Sequence, residues 1–521
     1  MKADVEIAEL KAENQYLRQQ NRWLLEQLRL ARHRQFGTSS EKGKAHGHEQ
    51  LSMFEKTDSG ISVEEKRDEI KGYHRRKPGH IGTARLPEDL PVEIIEHELP
   101  QVERQCPECG GQLHVMGREM RDELKFIPAQ AAIVRHISHT YACRHCEKQG
   151  EHVPILKASM PSPVIKGSFA APEAVAHIAY EKFVMGTPLY RQEQDWARKG
   201  ILLSRQTMSG WLIRTALERL QPIYNALKNR LIQREVLHAD ETVVQVLREP
   251  SKSPRSKSYM WMYRTGCDAE NAIILYEYQP GRQARHPRAF LEGYCGYLHA
   301  DGYDGYHDLP PDISVVGCWA HVRRRFHEAL KAIPVSAQAH APPMEGVWRI
   351  AQLYKLEEKF RQLLEDGNDF SARLKARQQQ SKPLVDSFFE WCALQYDRPR
   401  SHFDRAVNYA LSQWFWLEKY LLDGRLEIDN NRAERSIKPF VIGRKNWLFC
   451  NSQDGAKASA IFYSLLETAK ENGLNPFDYL THVFKNAPNL NVSHDSDAID
   501  LLLPFHPIET SPSVACGYPV V

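Results

Sequence analysis

Three carboxylates stand out because of their positions next to predicted strands and a predicted helix. Asp240 follows the apolar strand VLHA, Asp301 follows the strand YLHA, and Glu434 lies in DNNRAERSIK, where Asp429 or Asn430 can cap a helix. Two carboxylates on neighbouring strands and a third on a helix can hold two divalent cations ~3.5–4 Å apart. Mg²⁺ or Mn²⁺ at such a site suits phosphodiester cleavage, since one ion activates the attacking oxygen and the other stabilises the leaving oxygen. We predict this two-metal site here, although acids after strands are common and their spacing alone does not specify one.

Basic residues surround these carboxylates in the sequence and favour a polyanionic substrate such as DNA. We predict DNA contacts from Arg323, Arg324, Arg325, Arg432, Arg435, Lys438, Arg444 and Lys445. The alternative is that each arginine forms a surface ion pair that contributes little stability. Trp319 and Trp447 fit the protein core better than a platform for base stacking.

Two C-x-x-C pairs predict a metal site of a different kind. They are Cys106-Pro-Glu-Cys109 and Cys143-Arg-His-Cys146, separated by a segment with the character of strands. Four thiolates close a tetrahedral Zn²⁺ site, which is structural because no coordination position stays open. A redox pair or four unrelated thiols are the alternatives.

Residues 161–232 are predicted to be helical and to contain a helix-turn-helix. The chain turns at Gly200, and Ser204 is placed to cap a second helix. Arg205, Gln206 and Thr207 would then lie at the exposed start of the helix that reads DNA in this motif. An ordinary helical hairpin is the alternative.

Residues 1–32 contain a heptad pattern typical of a parallel two-stranded coiled coil, in which buried Asn fixes the register. One seam position holds Ile7, Asn14, Asn21 and Leu28, and the other holds Leu10, Leu17, Leu24 and Ala31. A homodimer is the prediction, and a single amphipathic helix packed on its own chain is the alternative. Residues 33–100 are predicted to be a basic, polar linker.

The rest of the chain predicts a mixed α/β domain with a helical interruption. Residues 233–327 contain strands in a meander and then alternating helices and strands, 328–425 are helical, and 426–485 contain Glu434. Residues 101–160 form the predicted zinc module, and residues 486–521 are predicted to be a flexible tail.

The 521 residues carry a net charge of +3 from 69 basic and 66 acidic residues, which excludes a histone-like tail or an acidic scaffold. No apolar run approaches the ~20 residues that a membrane span needs, and the chain starts without the apolar stretch of an export signal. These features predict a cytoplasmic protein without a membrane partner.

Together these motifs resemble those of transposases from the bacterial insertion-sequence family numbered sixty-six. The resemblance is most specific in CPECGGQL, YACRHC, LHADET, HADGYDGY, GCWAHVRRRF, DNNRAERSIKPFVIGRKNWLF and SLLETAKENGLNPFDYL. It implies a multidomain chain with a ribonuclease-H-like catalytic core and a helical insertion, preceded by the coiled coil, the zinc module and the helix-turn-helix. It also implies that Asp240, Asp301 and Glu434 are the catalytic Asp-Asp-Glu triad.

The activity implied by the resemblance is DNA transposition. The enzyme would bind terminal inverted repeats, hydrolyse a phosphodiester and join the 3′-hydroxyl to target DNA, as a dimer or higher oligomer, with accessory proteins of the same element as possible partners. Two alternatives remain: a zinc-containing DNA-binding regulator with an inactive catalytic domain, and a ribonuclease-H-like nuclease that cuts without joining. Asp304 departs from the expected small residue and is either a harmless surface acid or an extra charge near the metals.

Overall fold

The computed structural model describes residues 2–36, 131–143, 155–365, 369–396, 401–490 and 496–506. Most of the predicted linker and three predicted zinc ligands, Cys106, Cys109 and Cys146, lie outside these ranges. The chain divides into two compact units, one of residues 1–40 and 136–521 and the other of residues 41–135. All helices and strands below belong to the first unit.

Among the described residues, eight strands form two sheets. A small antiparallel pair joins β1 (Thr140–Ala142) to β2 (Ile155–Lys157) within the predicted zinc module. The main sheet contains β3 (Val236–Arg248), β4 (Lys257–Thr265), β5 (Ile274–Gln279), β6 (Gly296–His299), β7 (Ile313–Val316) and β8 (Cys450–Ser452). Its order is β5-β4-β3-β6-β7, and β8 also pairs with β3. The first three strands are antiparallel, whereas β6, β7 and β8 extend the sheet in parallel.

Helices surround the main sheet. Those before it are α1 (Lys2–Phe36), α2 (Pro172–Phe183), α3 (Leu189–Arg198), α4 (Arg205–Thr215) and, after a π-helical turn at Ala216–Leu220, α5 (Gln221–Leu231). Within and after it lie α6 (Arg285–Phe290), α7 (Asp304–His307) and α8 (Trp319–Lys331).

The remaining helices form the insertion and the C-terminal region. The insertion contains α9 (Val335–Gln338), α10 (Pro342–Glu365), α11 (Phe370–Ala376), α12 (Lys382–Leu394), α13 (His402–Ser412) and α14 (Trp414–Leu417), with a π turn at Arg377–Ser381 and a 3₁₀ turn at Glu418–Leu421. The last elements are α15 (Asn431–Trp447), α16 (Gln453–Glu471), α17 (Pro476–Asn486) and α18 (Ser496–Asp500). None of the described helices is long and apolar enough to cross a membrane.

Helix α16 covers the outer edge of the main sheet. The Ile274 and Tyr276 amides on edge strand β5 donate to the hydroxyls of Thr468 and Ser464 at 3.0 and 2.7 Å. An uncovered edge strand presents backbone groups that can pair with another chain. The small hydroxyl residues on α16 satisfy these groups within the buried core.

The helical insertion has its own core beside the sheet. Trp319, Phe326, Phe388 and Phe389 are fully buried there and contact one another through their rings. The buried Arg377 guanidinium donates to both carboxylate oxygens of Glu357 at 2.8 and 2.7 Å, so its charge is compensated.

The structure departs from the predicted flexible tail at residues 496–506. This segment contains α18, and Leu502 and Leu503 are buried in the main core. The Tyr479 hydroxyl on α17 also donates to the Leu502 carbonyl at 3.0 Å. Two adjacent leucines after a short polar stretch bury enough apolar surface to hold the segment in place.

Candidate active site

The two aspartates occupy matching positions on neighbouring parallel strands. Leu-His-Ala-Asp occurs once in β3 and once at the end of β6, and the register pairs Leu237 with Leu298 and His238 with His299. Asp240 and Asp301 each follow two residues later. β8 pairs with β3 only from Val246 onward, so Asp240 lies on the stretch of β3 between its two parallel partners.

Glu434 reaches the same region from the first turn of α15, which packs against β3. Burial raises the pKa of Asp240 well above its ordinary value, and the charges of Glu241, Asp301 and Glu434 raise it further. The structure therefore brings the three predicted catalytic carboxylates close enough for their charges to interact. Repulsion of this kind is relieved when a cation binds.

A fourth carboxylate, Glu241, was not predicted from the sequence. It accepts hydrogen bonds from Arg282 Nε at 2.8 Å and from the Tyr306 hydroxyl at 2.6 Å, and its side chain is only 2% exposed. Burial and the charge of Asp301 raise the pKa of Glu241, whereas Tyr306 and Arg282 oppose that rise. The adjacency of Glu241 to Asp240 in HADET was the available signal, but Arg282 lies in no motif.

His321 and Arg324 on α8 face Glu434. The distances are 3.8 Å from His321 Nε2 to Oε1 and 3.2 Å from Arg324 Nη2 to Oε2. Cys318, His321 and Glu434 can each offer a ligand atom within 4.8 Å of the others. However, burial raises the pKa of the Cys318 thiol to about 12, and its sulfur accepts the Asn430 amide at 3.2 Å. His321 and Glu434 are the better candidates for metal ligands in this group.

Comparison with known proteins agrees with the family resemblance seen in the sequence motifs. The sequence profile described as Transposase IS66 family matches residues 167–458, which include the three carboxylates. This chain belongs to the IS66 transposase family. Further profiles match the zinc-finger binding domain of transposase IS66 at 103–147, the IS66 C-terminal element at 464–505, and Transposase C of IS166 homeodomain at 23–95.

Relatives of this IS66 family member occur in Sinorhizobium fredii strain NGR234. The uncharacterized protein y4qI is 30% identical, with 92% of this chain and 88% of the relative covered. The uncharacterized protein y4jD is also 30% identical, over 86% of this chain and 87% of the relative. The zinc-finger match spans all four predicted cysteine ligands and supports structural zinc in the IS66 member. Cys143 is the one ligand among the described residues, and it is exposed.

Some of the basic residues predicted to bind DNA are exposed in this IS66 structure, and others already contact residues of the protein itself. Arg435, Lys438 and Lys445 are exposed along α15 at spacings that place them on one helix face. Arg432, by contrast, donates to both carboxylate oxygens of Glu427 at 3.0 Å and is partly buried. The expectation that Arg432 contacts phosphates is therefore not supported, because its charge is already compensated.

The other predicted basic residues have partners of their own. Arg444 donates to the Thr242 hydroxyl at 3.1 Å, and Arg324 pairs with Glu434 as described above. Arg323 and Arg325 lie over the rings of Tyr354 and Tyr409, at 5.6 and 5.0 Å from the ring centres. Arg325 is exposed, so it can still meet a phosphate while it rests on Tyr409.

The predicted helix-turn-helix is formed by α3 and α4. Gly200 adopts a φ of 78° in the turn, a conformation that suits glycine. The Ser204 side chain caps α4 by accepting the Thr207 amide at 3.1 Å. Arg205 and Gln206 are exposed at the start of α4, whereas Thr207 is half-buried and its hydroxyl contacts Ser204.

The other residues discussed from the sequence differ in their exposure. Asp304 is exposed at the start of α7, which favours its interpretation as a surface acid. Trp319 is fully buried, and Trp447 packs partly buried against Phe440. On α1, the described seam residues Asn14, Leu17, Asn21, Leu24, Leu28 and Ala31 are all exposed.

Helix α1 contacts its own chain through a different face. Leu30 is buried, Glu26 accepts the His402 amide at 3.3 Å, and Arg29 donates to the Ala332 carbonyl at 3.3 Å. These contacts agree with the prediction of a helix packed on its own chain. They leave the heptad seam exposed, and the coiled-coil homodimer stays a prediction.

Proposed function

We propose that this protein is an active DNA transposase that binds the terminal inverted repeats of its element, cleaves the DNA at the element's ends and joins the freed 3′-hydroxyl to target DNA. The observation that carries the proposal is the convergence of Asp240, Asp301 and Glu434 from two parallel strands and one helix. The order and direction of the sheet strands support the ribonuclease-H-like part of the proposal.

The carboxylates fit divalent cations. Asp240 is crowded by three other carboxylates that raise its pKa. Arg282, which lies 3.9 Å from Asp301, is also bonded to Glu241. Asp240, Asp301 and Glu434 would hold Mg²⁺ or Mn²⁺, with His321 beside Glu434 as a further candidate ligand. When bound, two such ions supply activation of the attacking oxygen and stabilisation of the leaving oxygen.

The protein's own residues would hold the DNA in place around this site. Arg435, Lys438 and Lys445 follow Glu434 along one exposed face of α15, where they could contact successive phosphates. Arg205 and Gln206 are exposed at the start of α4, where a recognition helix meets base edges.

Two further parts of the proposal concern assembly. The outward α1 seam supports a homodimer, since burial of its leucines needs a partner helix. Two catalytic sites would then be available for the two ends of the element. Cys106, Cys109, Cys143 and Cys146 would hold one structural Zn²⁺ in each chain.

The test is a cleavage and joining assay with purified protein, Mg²⁺ or Mn²⁺, and labelled DNA that contains the terminal repeat. We expect nicking at the 3′ end and joined products from the wild type, and neither from Asp240→Ala. Asp304→Ala is the matched control, because it removes a nearby but exposed carboxylate and should keep both activities.

The products also separate the alternatives. Cleavage without joined products would favour a nuclease, and tight DNA binding without metal-dependent cleavage would favour a regulator. Equal activity in Asp240→Ala and the wild type would overturn the assignment of the site.

A further inference from the structure

Asn430 lies between the strand that carries Asp240 and the helix that carries Glu434. It is 1% exposed, and its side-chain nitrogen donates to the Ala239 carbonyl at 2.8 Å. Its side-chain oxygen lies 2.9 Å from Nδ1 of His238. A carbonyl only accepts, so the amide orientation is determined, and His238 must donate through Nδ1.

The backbone of Asn430 also forms hydrogen bonds, one through its amide and one through its carbonyl. Its amide donates to the Cys318 sulfur at 3.2 Å, and its carbonyl accepts the Glu434 amide at 3.2 Å as the first bond of α15. The side chain thus joins the peptide directly before Asp240 to the residue one helical turn before Glu434.

A buried cluster behind Asn430 extends this link to the strand of Asp301. His238 stacks on His299 with ring centres 4.4 Å apart and an interplanar angle of 11°. Glu427 contacts both rings: its carboxylate lies 3.2 Å from His238 Nε2, and its amide donates to His299 Nε2 at 3.2 Å. Arg432 donates to both Glu427 oxygens, so the charge of the Glu427 carboxylate is compensated.

We propose that Asn430 is a positioning residue, whose bonds to Ala239 and His238 set the separation between Asp240 and Glu434. The inference rests on the metal-binding part of the proposed function, in which these carboxylates hold divalent cations. A capping asparagine ordinarily bonds to amides of its own helix, but here the Asn430 side chain makes no such bond and reaches across to β3. Small displacements of ligands matter greatly to a site that must hold reacting groups in line.

The test compares Asn430→Ala and Asn430→Asp with the control Asn431→Ala. Aspartate has the volume of asparagine, but it places an acceptor against the Ala239 carbonyl and cannot donate to it. Asn431 also lies at the start of α15. Among the described residues, its side chain forms a hydrogen bond only with Asp429, at 2.7 Å. Mn²⁺ binding to the full-length protein is followed by electron paramagnetic resonance, together with thermal unfolding and the Mg²⁺ concentration for half-maximal DNA cleavage.

We expect both Asn430 variants to bind Mn²⁺ about 10- to 100-fold more weakly, the usual effect of removing a residue that orients metal ligands. The half-maximal Mg²⁺ concentration should rise in parallel, and Asn431→Ala should resemble the wild type in both. If Asn430→Ala does not fold, Asn430→Asp decides the matter because its volume is unchanged.

Two results distinguish this inference from the proposed function. A folded Asn430→Asp with wild-type Mn²⁺ affinity and Mg²⁺ requirement would overturn the role of Asn430. A wild-type protein that binds Mn²⁺ but never cleaves DNA would overturn the proposed function, while a loss of Mn²⁺ affinity in the Asn430 variants would still support the positioning role.

Discussion

The exposed face of α15 gives a quantitative prediction about DNA binding. Arg435, Lys438 and Lys445 cover a rise of ~15 Å along the helix. One DNA strand carries a charge about every 3.4 Å of its axis, so three phosphates lie within reach of these three side chains. We expect the triple alanine variant to lose three phosphate contacts.

The size of the effect follows from counterion release. Each contact contributes about 0.9 to the slope of log K against log salt concentration, so the slope should fall by about 2.7 in the variant. Between about 50 and 200 mM salt, the wild type should therefore lose about 40-fold more affinity than the variant. Fluorescence anisotropy of labelled terminal-repeat DNA over this range measures both slopes.

A control of equal charge makes the measurement specific. Alanine replacement of Lys355, Lys359 and Arg361 removes three exposed cations from α10 in the insertion. This control should leave the slope close to that of the wild type. An unchanged slope in the α15 variant, or an equal fall in the control, would refute the assignment of phosphate contacts to α15.

Three further predictions concern stability and assembly. Because burial and neighbouring carboxylates raise the pKa of Asp240, the metal-free folded state loses stability as pH rises from the ordinary carboxyl range through that raised pKa. Asp240→Asn should therefore raise the melting temperature in EDTA at neutral pH and leave it unchanged below the ordinary carboxyl range; no gain at neutral pH would contradict this electrostatic argument. Ser204→Ala removes the cap of α4 and should lower the free energy of unfolding by ~1 kcal/mol, measured by denaturant titration, whereas Ser204→Asp should preserve most of it. Replacing Asn14 and Asn21 together by leucine should loosen the register or raise the oligomer order, and an unchanged mass by light scattering would count against a coiled coil.

Local sequence patterns were sufficient for much of the architecture. The heptad lies in one long helix, Ser204 caps α4, and both Leu-His-Ala-Asp segments contain strand residues. Asp301 follows its strand as predicted, whereas Asp240 lies within β3, which continues to Arg248. These features depend on neighbours within a turn or a strand, and their physical causes are therefore visible in short stretches of sequence. The tail was harder to predict, because burial of Leu502 depends on core residues elsewhere in the chain.

The candidate site also combines features that local sequence predicts with features that depend on distant residues. The acidic residue types and their places near predicted strands and a predicted helix made Asp240, Asp301 and Glu434 candidates, and the family resemblance selected them. Neither signal identified Glu241 with Arg282 or the link through Asn430. The contact between His238 and Asn430 joins residues 192 positions apart, and no local pattern encodes it.

The sequence by itself determined the types of chemical groups, the local elements that carry them and the family to which the chain belongs. Only the tertiary structure decided which groups are available. Arg432 and Arg435 are the same residue type, three positions apart on one helix, yet one is bonded to Glu427 and the other is exposed. The physical reason is that long-range packing selects the partner of each charge, and an arginine has the same intrinsic chemistry whether its partner is a buried carboxylate or a phosphate still to be bound.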